Sequence, residues 1–269
     1  MKKALCLILA VCLVATLAVF AACNPIVDGI RKDGTVVIGA TSVPHAEILN
    51  FAKDILAEQY NLKIEVQEVE NWPQLNPSTA DGDIYANFFQ HEIYLNEYNS
   101  TVSEDRQLVS VGAVHVEPLG IYSTETEVDF TQPLVIAITN DVTNQSRALR
   151  LLEAQGIITA KTSDNKEIVT VDDFNWGENQ YREINAELLA SSLPDVDIAA
   201  IPGNYALAGK LSSALVTETE EVTAQYANVL VVKKGNENSE ITKTLITVLQ
   251  SQAVKDFIRE TYGDAVHAV

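Results

Sequence analysis

A chain of 269 residues, 47% of them hydrophobic, is long enough for one large domain or two small ones and apolar enough to bury a core. Its formal net charge of −19 excludes the basic footprint that nucleic-acid binding requires and disfavours adhesion of the folded surface to anionic lipid. All three cysteines, Cys6, Cys12 and Cys23, stand at the N-terminus, so a chain that loses its leader keeps one at most and has neither an internal disulfide nor a thiolate metal cluster.

Met1-Lys2-Lys3 is a positive start, Ala4 to Ala22 is apolar and uncharged, and Ala21-Ala22 precede Cys23. Residues 1–22 therefore read as a secretory signal that ends in a lipobox, cut before Cys23, whose thiol takes a diacylglycerol. Phe20 occupies the place where leucine is usual; the competing readings are an uncleaved anchor and ordinary cleavage near Ala21. The acyl chains of such an anchor, palmitate among them, hold a protein stably to a membrane. Residues 23–34, with Pro25 and Gly29, would then be the lipidated tether.

Thr35 to Ala40 is a continuous apolar run, the pattern of a strand buried on both faces. Thr41 or Ser42 can cap the next helix, with Pro44 in its first turn. Ile48, Phe51, Ala52, Ile55 and Leu56 then recur at helical spacing as far as Tyr60. Leu62 to Val69 alternates as a second strand, and Asn71 to Pro77 reads as a loop holding Trp72, Gln74 and Asn76. Asp81-Gly82 is a turn; Ile84 to Phe89 follows as a buried strand; Gln90, His91 and Tyr94 come at the entry of a helix, where open α/β sheets place ligands. Phe88, Phe89 and Tyr94 serve equally well as plain core. Leu108 to His115 and Gly120 to Ser123 give more strand, and repeated strand–helix units predict a mostly parallel sheet with helices on both faces.

A second unit opens after the polar stretch Thr124 to Gln132. Leu134 to Ile138 is a strand, Asn140 to Asn144 a loop ending in a cap, and Arg147 to Ala154 a helix closed by Gly156. Lys161 to Asn179 is polar surface, with Ile168 to Val171 a candidate strand. Arg182 to Asn185 and Asp197 to Ile201 are short strands, and Pro202-Gly203-Asn204 turns into a helix from Tyr205 to Lys210. Asn228 to Val232 is a strong strand, and Ser239 to Tyr262 one amphipathic helix.

Seven blocks, in order, carry a resemblance. They are Gly39-Ala40-Thr41 with Pro44-His45-Ala46-Glu47-Ile48; Ala86-Asn87-Phe88-Phe89-Gln90-His91; and Val114-His115-Val116-Glu117-Pro118-Leu119-Gly120-Ile121-Tyr122-Ser123. Then come Asn140-Asp141 with Thr143-Asn144, Arg147-Ala148-Leu149, Gly203-Asn204-Tyr205-Ala206-Leu207, and Tyr226-Ala227-Asn228-Val229-Leu230-Val231-Val232. From Val36 to about Val266 the chain resembles the NlpA/MetQ family, the methionine-binding lipoproteins of bacterial ABC importers. The resemblance implies ligand contacts at Trp72, where the family more often has tyrosine, and at Phe89, His91, Tyr94, Asn144, Arg147, Asn204 and Asn228. Tyr85 stands where the family commonly has aspartate, Leu75 where it has proline, Gln145-Ser146 where it has Glu-Gly, and Pro202 where it has asparagine.

The residues themselves give a reason for such a site. Arg147 lies near a helix N-terminus, where the dipole disfavours a cation, and a bound carboxylate matched two-by-two to its guanidinium would account for it. The competing reading is an ion pair with an acid group of the chain. Asn144, Asn204 and Asn228 sit where turns meet elements, fit for turn chemistry or for holding the ends of an amino acid. Trp72, Phe89 and Tyr94 would line a slot for an apolar or thioether tail. Arg147→Ala is expected to weaken amino-acid binding by orders of magnitude without unfolding the protein. The rival function is zinc uptake, through His45, His91 and His115 with Glu47 or Glu117, although no pair stands at i, i+4. An envelope hydrolase is the other class, although neither G-x-S-x-G nor H-E-x-x-H occurs.

The expectation is a non-enzyme, without cofactor or metal, of two-lobed periplasmic-binding-protein-like (type II) α/β fold. Lobe 1 would span 35–122 and 227–269 and lobe 2 123–226, with hinge crossovers near Tyr122–Thr124 and Gln225–Asn228. The protein would be anchored outside the cytoplasm by lipid on Cys23. It would close on an amino acid, methionine first, and deliver it to an ABC permease and ATPase.

Overall fold

The computed structural model describes residues 26–163, 166–211 and 213–269. The expected leader 1–22 and the expected lipidation site Cys23 lie outside them. The strands, in chain order, are β1 Ile26–Val27, β2 Ile30–Arg31, β3 Val36–Ala40, β4 Ile64–Glu68, β5 Ala86–His91, β6 Leu108–Val116, β7 Gly120–Tyr122 and β8 Val135–Thr139. They continue with β9 Thr159–Ala160, β10 Phe174–Asn175, β11 Gln180–Ile184, β12 Ile198–Ile201, β13 Val216–Thr217, β14 Asn228–Lys233 and β15 His267–Ala268. The helices used below are α1 Glu47–Tyr60, α2 Leu75–Asp81, α3 Glu92–Thr101, α4 Val142–Ala154, α5 Leu189–Ser192, α6 Gly203–Ala208, α7 Glu220–Ala224, α8 Glu240–Leu249 and α9 Gln252–Tyr262.

Two sheets make two lobes. The larger runs β1-β2-β3-β5-β14-β6-β15, with β4 on the other side of β3; the smaller runs β11-β8-β12-β7-β13. Both are mixed, not mostly parallel. In the larger sheet β4 and β5 lie parallel to β3, whereas β14, returning from the other lobe, enters between β5 and β6 antiparallel to both. In the smaller, β8, β11 and β12 are parallel, β7 runs against β12, and β13 runs against β7.

The apolar runs are strands buried on both faces, and alternate residues feed different cores. In the larger sheet Val36, Ile38, Ala40, Phe88, Leu230 and Val232 pack into one cluster with α1, α8 and α9, where Phe51 stacks on Phe257 at 4.3 Å. The intervening Val37 and Phe89 join a second cluster with Trp72, Leu75 and Ile84 on the opposite face. The smaller sheet repeats the rule: Ile136, Ile138, Ile198 and Ala200 point one way, and Ala137, Ala199 and Ile201 the other.

Several boundaries differ from the sequence expectation, each for a local reason. The loop Asn71–Pro77 is instead a 3-10 turn, Trp72–Gln74, running into α2, which accommodates Pro77 in its first turn, where the missing N–H has no intrahelical partner anyway. The final helix is two helices, because Ser251 breaks the run and its side chain caps α9 by accepting the Val254 N–H. Residues 168–170 form no strand, and Thr170 caps a short 3-10 turn. Ile26–Arg31 is not a loose tether: β1 and β2 form a hairpin on the edge of the larger sheet, locked by Gly29, whose positive φ of 73° and lack of a side chain let its backbone lie against that of Tyr85.

The first crossover is also displaced. Gly120–Tyr122 pairs with β12 and β13, so the chain leaves the larger sheet after Val116 and crosses at Glu117–Leu119, upstream of the expected Tyr122–Thr124. It returns between Thr217 and Asn228, through α7. No helix among the described residues is long and apolar enough to cross a membrane.

Candidate functional site

Trp72, Phe89, His91, Tyr94, Asn144, Arg147, Asn204 and Asn228 all border one crevice between the lobes, of about 470 Å³ counting its open mouth. Its apolar end is a triangle of rings. Trp72 comes from the 3-10 turn, Phe89 from β5 and Tyr94 from the first turn of α3; ring centroids are 5.0 Å apart for Trp72–Tyr94, 5.9 Å for Trp72–Phe89 and 5.8 Å for Phe89–Tyr94. Offset and edge-on contacts of this kind favour aromatic packing and leave ring faces for a ligand.

The polar end is built on one row of the larger sheet. Asn228, first residue of β14, lies opposite His91 on β5 and His115 on β6, so residues far apart in sequence meet at the sheet's lip. His91 is the N-cap of α3: its Nδ1 accepts the Tyr94 N–H at 3.1 Å, which leaves its Nε2–H to donate across the lobe boundary to Asn144 Oδ1 at 3.2 Å. His45 Nε2 donates to Asn228 Oδ1 at 3.0 Å, so the Asn228 amide N–H₂ has no partner among the described residues. Burial, then the nearby Arg147 charge, holds the His91 pKa down to about 3. Burial likewise takes His45 to about 4, although Glu117 pulls the other way. Both rings are neutral hydrogen-bonding groups at physiological pH.

Arg147 stands in the second turn of α4, whose cap is Asp141; the Asp141 side chain accepts the Asn144 N–H at 3.0 Å. The expectation of a free two-by-two face does not hold. Nε and Nη2 bind Glu218, at 2.8 Å and 2.5 Å, and Nη2 also donates to the Glu117 carbonyl at 2.8 Å. The guanidinium lies 4.1 Å from the Tyr226 ring centroid, a cation–π contact. Nη1 is the one guanidinium nitrogen without a protein partner among the described residues. Glu218 belongs to the acidic stretch Thr217 to Glu221, which reads as solvated surface, so nothing local in the sequence marked it.

Glu117, Gln90, Pro202, Gly203 and Tyr205 also border the crevice and were not singled out as contacts. Glu117, just past β6, accepts from His115 Nε2 at 2.6 Å with Oε1 and is 4% exposed. Burial alone would raise its pKa, but the hydrogen bond from His115 and the nearby Arg147 charge leave it below the ordinary value. Its Oε2 has no hydrogen bond among the described residues. Gly203 lets α6 seat on the crossover: a Cβ there would stand 2.8 Å from Glu117 Cβ and 2.9 Å from the Pro118 carbonyl. The signal for Glu117 was its place, a carboxylate directly after a strand at the sheet's ligand edge.

The residues that depart from the family pattern mostly face elsewhere. The Tyr85 hydroxyl bonds Ser239 and Thr242 at 2.6 Å and 2.9 Å. Gln145 donates to Thr139 and Glu183, and Ser146 accepts from Val169, all within the second lobe. Leu75 packs with Trp72 and Phe89. Pro202 is the departure on the crevice wall itself. Of the candidate zinc ligands, His45, His115 and Glu117 come together, with ligand-type atoms within 4.8 Å of one another; His91 is outside that group, and Glu47 instead accepts from the Tyr262 hydroxyl at 2.6 Å.

Residues 36–269 match the family described as NlpA lipoprotein. The chain is 40% identical over 238 residues to the membrane lipoprotein TpN32 of Treponema pallidum (strain Nichols), covering 86% of this chain and 87% of that one. It is 36% identical over 275 residues to the methionine-binding lipoprotein MetQ of Bacillus subtilis (strain 168), covering 99% and 98%. Its fold matches the structure of a nutrient-binding protein from Burkholderia cenocepacia bound to methionine, with a TM-score of 0.81, 30% identity, and 87% of this chain and 99% of that chain covered.

Proposed function

Because the chain belongs to the NlpA lipoprotein family, whose members are substrate-binding lipoproteins and not enzymes, we propose that it captures a free amino acid, methionine first, in the interlobe crevice. The bound amino acid is then delivered to an ABC permease powered by an ATPase. The observation that carries the reading is the division of the crevice into two ends. At one, three rings suit a thioether tail, each sulfur–ring contact contributing about 0.3–1.5 kcal/mol. At the other, the polar atoms that the protein does not use itself are matched to a zwitterion.

Arg147 Nη1 and the Asn228 amide N–H₂ are donors for the carboxylate, and Glu117 Oε2 is the acceptor for the ammonium. Asn204 supplies a further amide on the crevice wall. Hydrogen bonds to charged groups of this kind contribute about 1.5–3 kcal/mol each. Glu117 and Asn228 sit at the lip of the larger sheet, whereas Asn144, Arg147 and Asn204 come from the second lobe. Binding is therefore coupled to closure about the crossovers, to the extent that the ligand prefers the closed form. The proposal places the protein outside the cytoplasm, held to a membrane by lipid on Cys23.

Zinc uptake finds less support: the His45 and His115 ring N–H groups are spent on Asn228 and Glu117. The test is mass spectrometry of small molecules released from the purified protein by mild denaturation, followed by calorimetry with L- and D-methionine and with zinc. Methionine release and saturable heat with methionine are expected. Zinc retention with no response to either methionine would overturn the reading.

A further inference from the structure

A second, larger groove runs beside the crevice, about 1160 Å³ counting its open side. Its lobe 1 wall is Thr41, Ser42, Val43, Val69 and Glu70; its lobe 2 wall includes Glu187, Leu188 and Ser191. Asn204 and Tyr205 border both spaces, so the Tyr205 side chain stands between the inner crevice and the outer groove. The ring is also wedged between the lobes. It packs on one side against the second-lobe cluster of Ala186, Leu189 and Ile201, and on the other against the Trp72–Phe89 cluster of the first. Two residues further along α6, Leu207 packs against the main core of lobe 1, so this short helix of the second lobe is seated on the first at two points.

Resting on the methionine reading above, we infer that Tyr205 sets the length of the ligand and restricts the site to a single amino acid. A ligand whose side chain reaches the rings and whose charged groups reach Arg147 and Glu117 fills the inner crevice. Joining one more residue to it by a peptide bond adds a rigid amide and at least two further heavy atoms that lead out toward the groove. That path is occupied by the Tyr205 ring. A ring displaced outward would lose its packing against the cluster that contains Trp72 and Phe89, which helps hold α6 against lobe 1. An over-long ligand is therefore rejected twice, by the clash and by lost closure. The groove beyond is wide enough for the extra residue, and its walls carry Glu70 and Glu187, so the divider and not the lack of space is what excludes a peptide.

The test is calorimetry on the whole mature protein and on Tyr205→Ala and Tyr205→Phe, each with methionine, methionyl-glycine and glycyl-methionine. The wild type should bind methionine about 100-fold more tightly than either dipeptide, within the range that a site of fixed shape achieves. Tyr205→Ala should narrow the ratio by about tenfold or more for at least one dipeptide, whatever it does to methionine alone, and Tyr205→Phe should keep the wild-type preference. Tyr205→Leu, which keeps a smaller apolar contact with both lobes, replaces Tyr205→Ala if that variant does not fold, and should narrow the ratio in the same direction. Methionine binding with an unchanged ratio in the small-residue variant, or equal affinity of the wild type for methionine and a dipeptide, would overturn the inference while leaving the functional reading in place. A wild type that binds no methionine removes both.

Discussion

Arg147→Ala removes the positive half of a charge pair whose side chains are 5% and 2% exposed. Glu218 would keep the Leu119 N–H at 2.9 Å and lose all three contacts from the guanidinium. A carboxylate stranded in this way costs about 3–5 kcal/mol, and the lost cation–π contact with Tyr226 adds about 0.5–2 kcal/mol. Set against a total stability of about 5–15 kcal/mol for a native protein, a loss of about 3.5–7 kcal/mol takes a large share of it, a cost that the expectation from sequence did not include. The paired replacement Arg147→Met with Glu218→Leu removes both charges and should recover most of the loss, since apolar substitutes for a buried pair are close to neutral. Urea unfolding, extrapolated linearly to water, measures each difference. A loss below about 1 kcal/mol for Arg147→Ala, the range of solvent-screened pairs, would refute the argument from burial. The paired variant also separates folding from binding: it should stay folded and fail to bind methionine.

Two further outcomes follow from the same coordinates. His45 and His91 titrate near 4 and 3 in the folded protein and near 6.5 when unfolded, so below that value the unfolded chain takes up protons that the native state refuses. Stability should therefore fall as pH drops from about 6.5 toward about 4, by up to about 1.4 kcal/mol per pH unit for each ring; urea midpoints that stay level between about pH 7 and about pH 5 would contradict this. Cys23→Ser should abolish incorporation of labelled palmitate into the protein; label retained by the variant would show that something other than the thiol carries the lipid.

The larger part of the fold was legible because its strands are buried on both faces. Runs such as Thr35–Ala40 and Asn228–Val232 have a single use in a protein of this length, and the helix from Glu47 to Tyr60 shows its period plainly. What was illegible depended on partners distant in the chain. Nothing near Gly120–Tyr122 says that it pairs with residues 199–201 and 216–217 and not with lobe 1, so the crossover was placed too late. The same holds at the site. The ring cluster could be read because Phe89 and Tyr94 are local neighbours, whereas the partner of Arg147 lies 71 residues away in an acid-rich stretch of ordinary appearance. The polar atoms left for a ligand emerge only after each protein partner has been subtracted.

The hairpin of β1 and β2 would set how far the body can stray from an anchor at Cys23. If the thiol of Cys23 is the point of attachment, Asn24 and Pro25 alone separate it from Ile26, which is already paired into the sheet. Three steps of fully extended backbone span about 11 Å. So short a leash keeps the first lobe at the bilayer surface and leaves the second as the part free to swing. The search for a permease then becomes two-dimensional, with the mouth of the crevice offered from a narrow range of angles, and the effective concentration of each for the other is set by the membrane, not by the surrounding fluid.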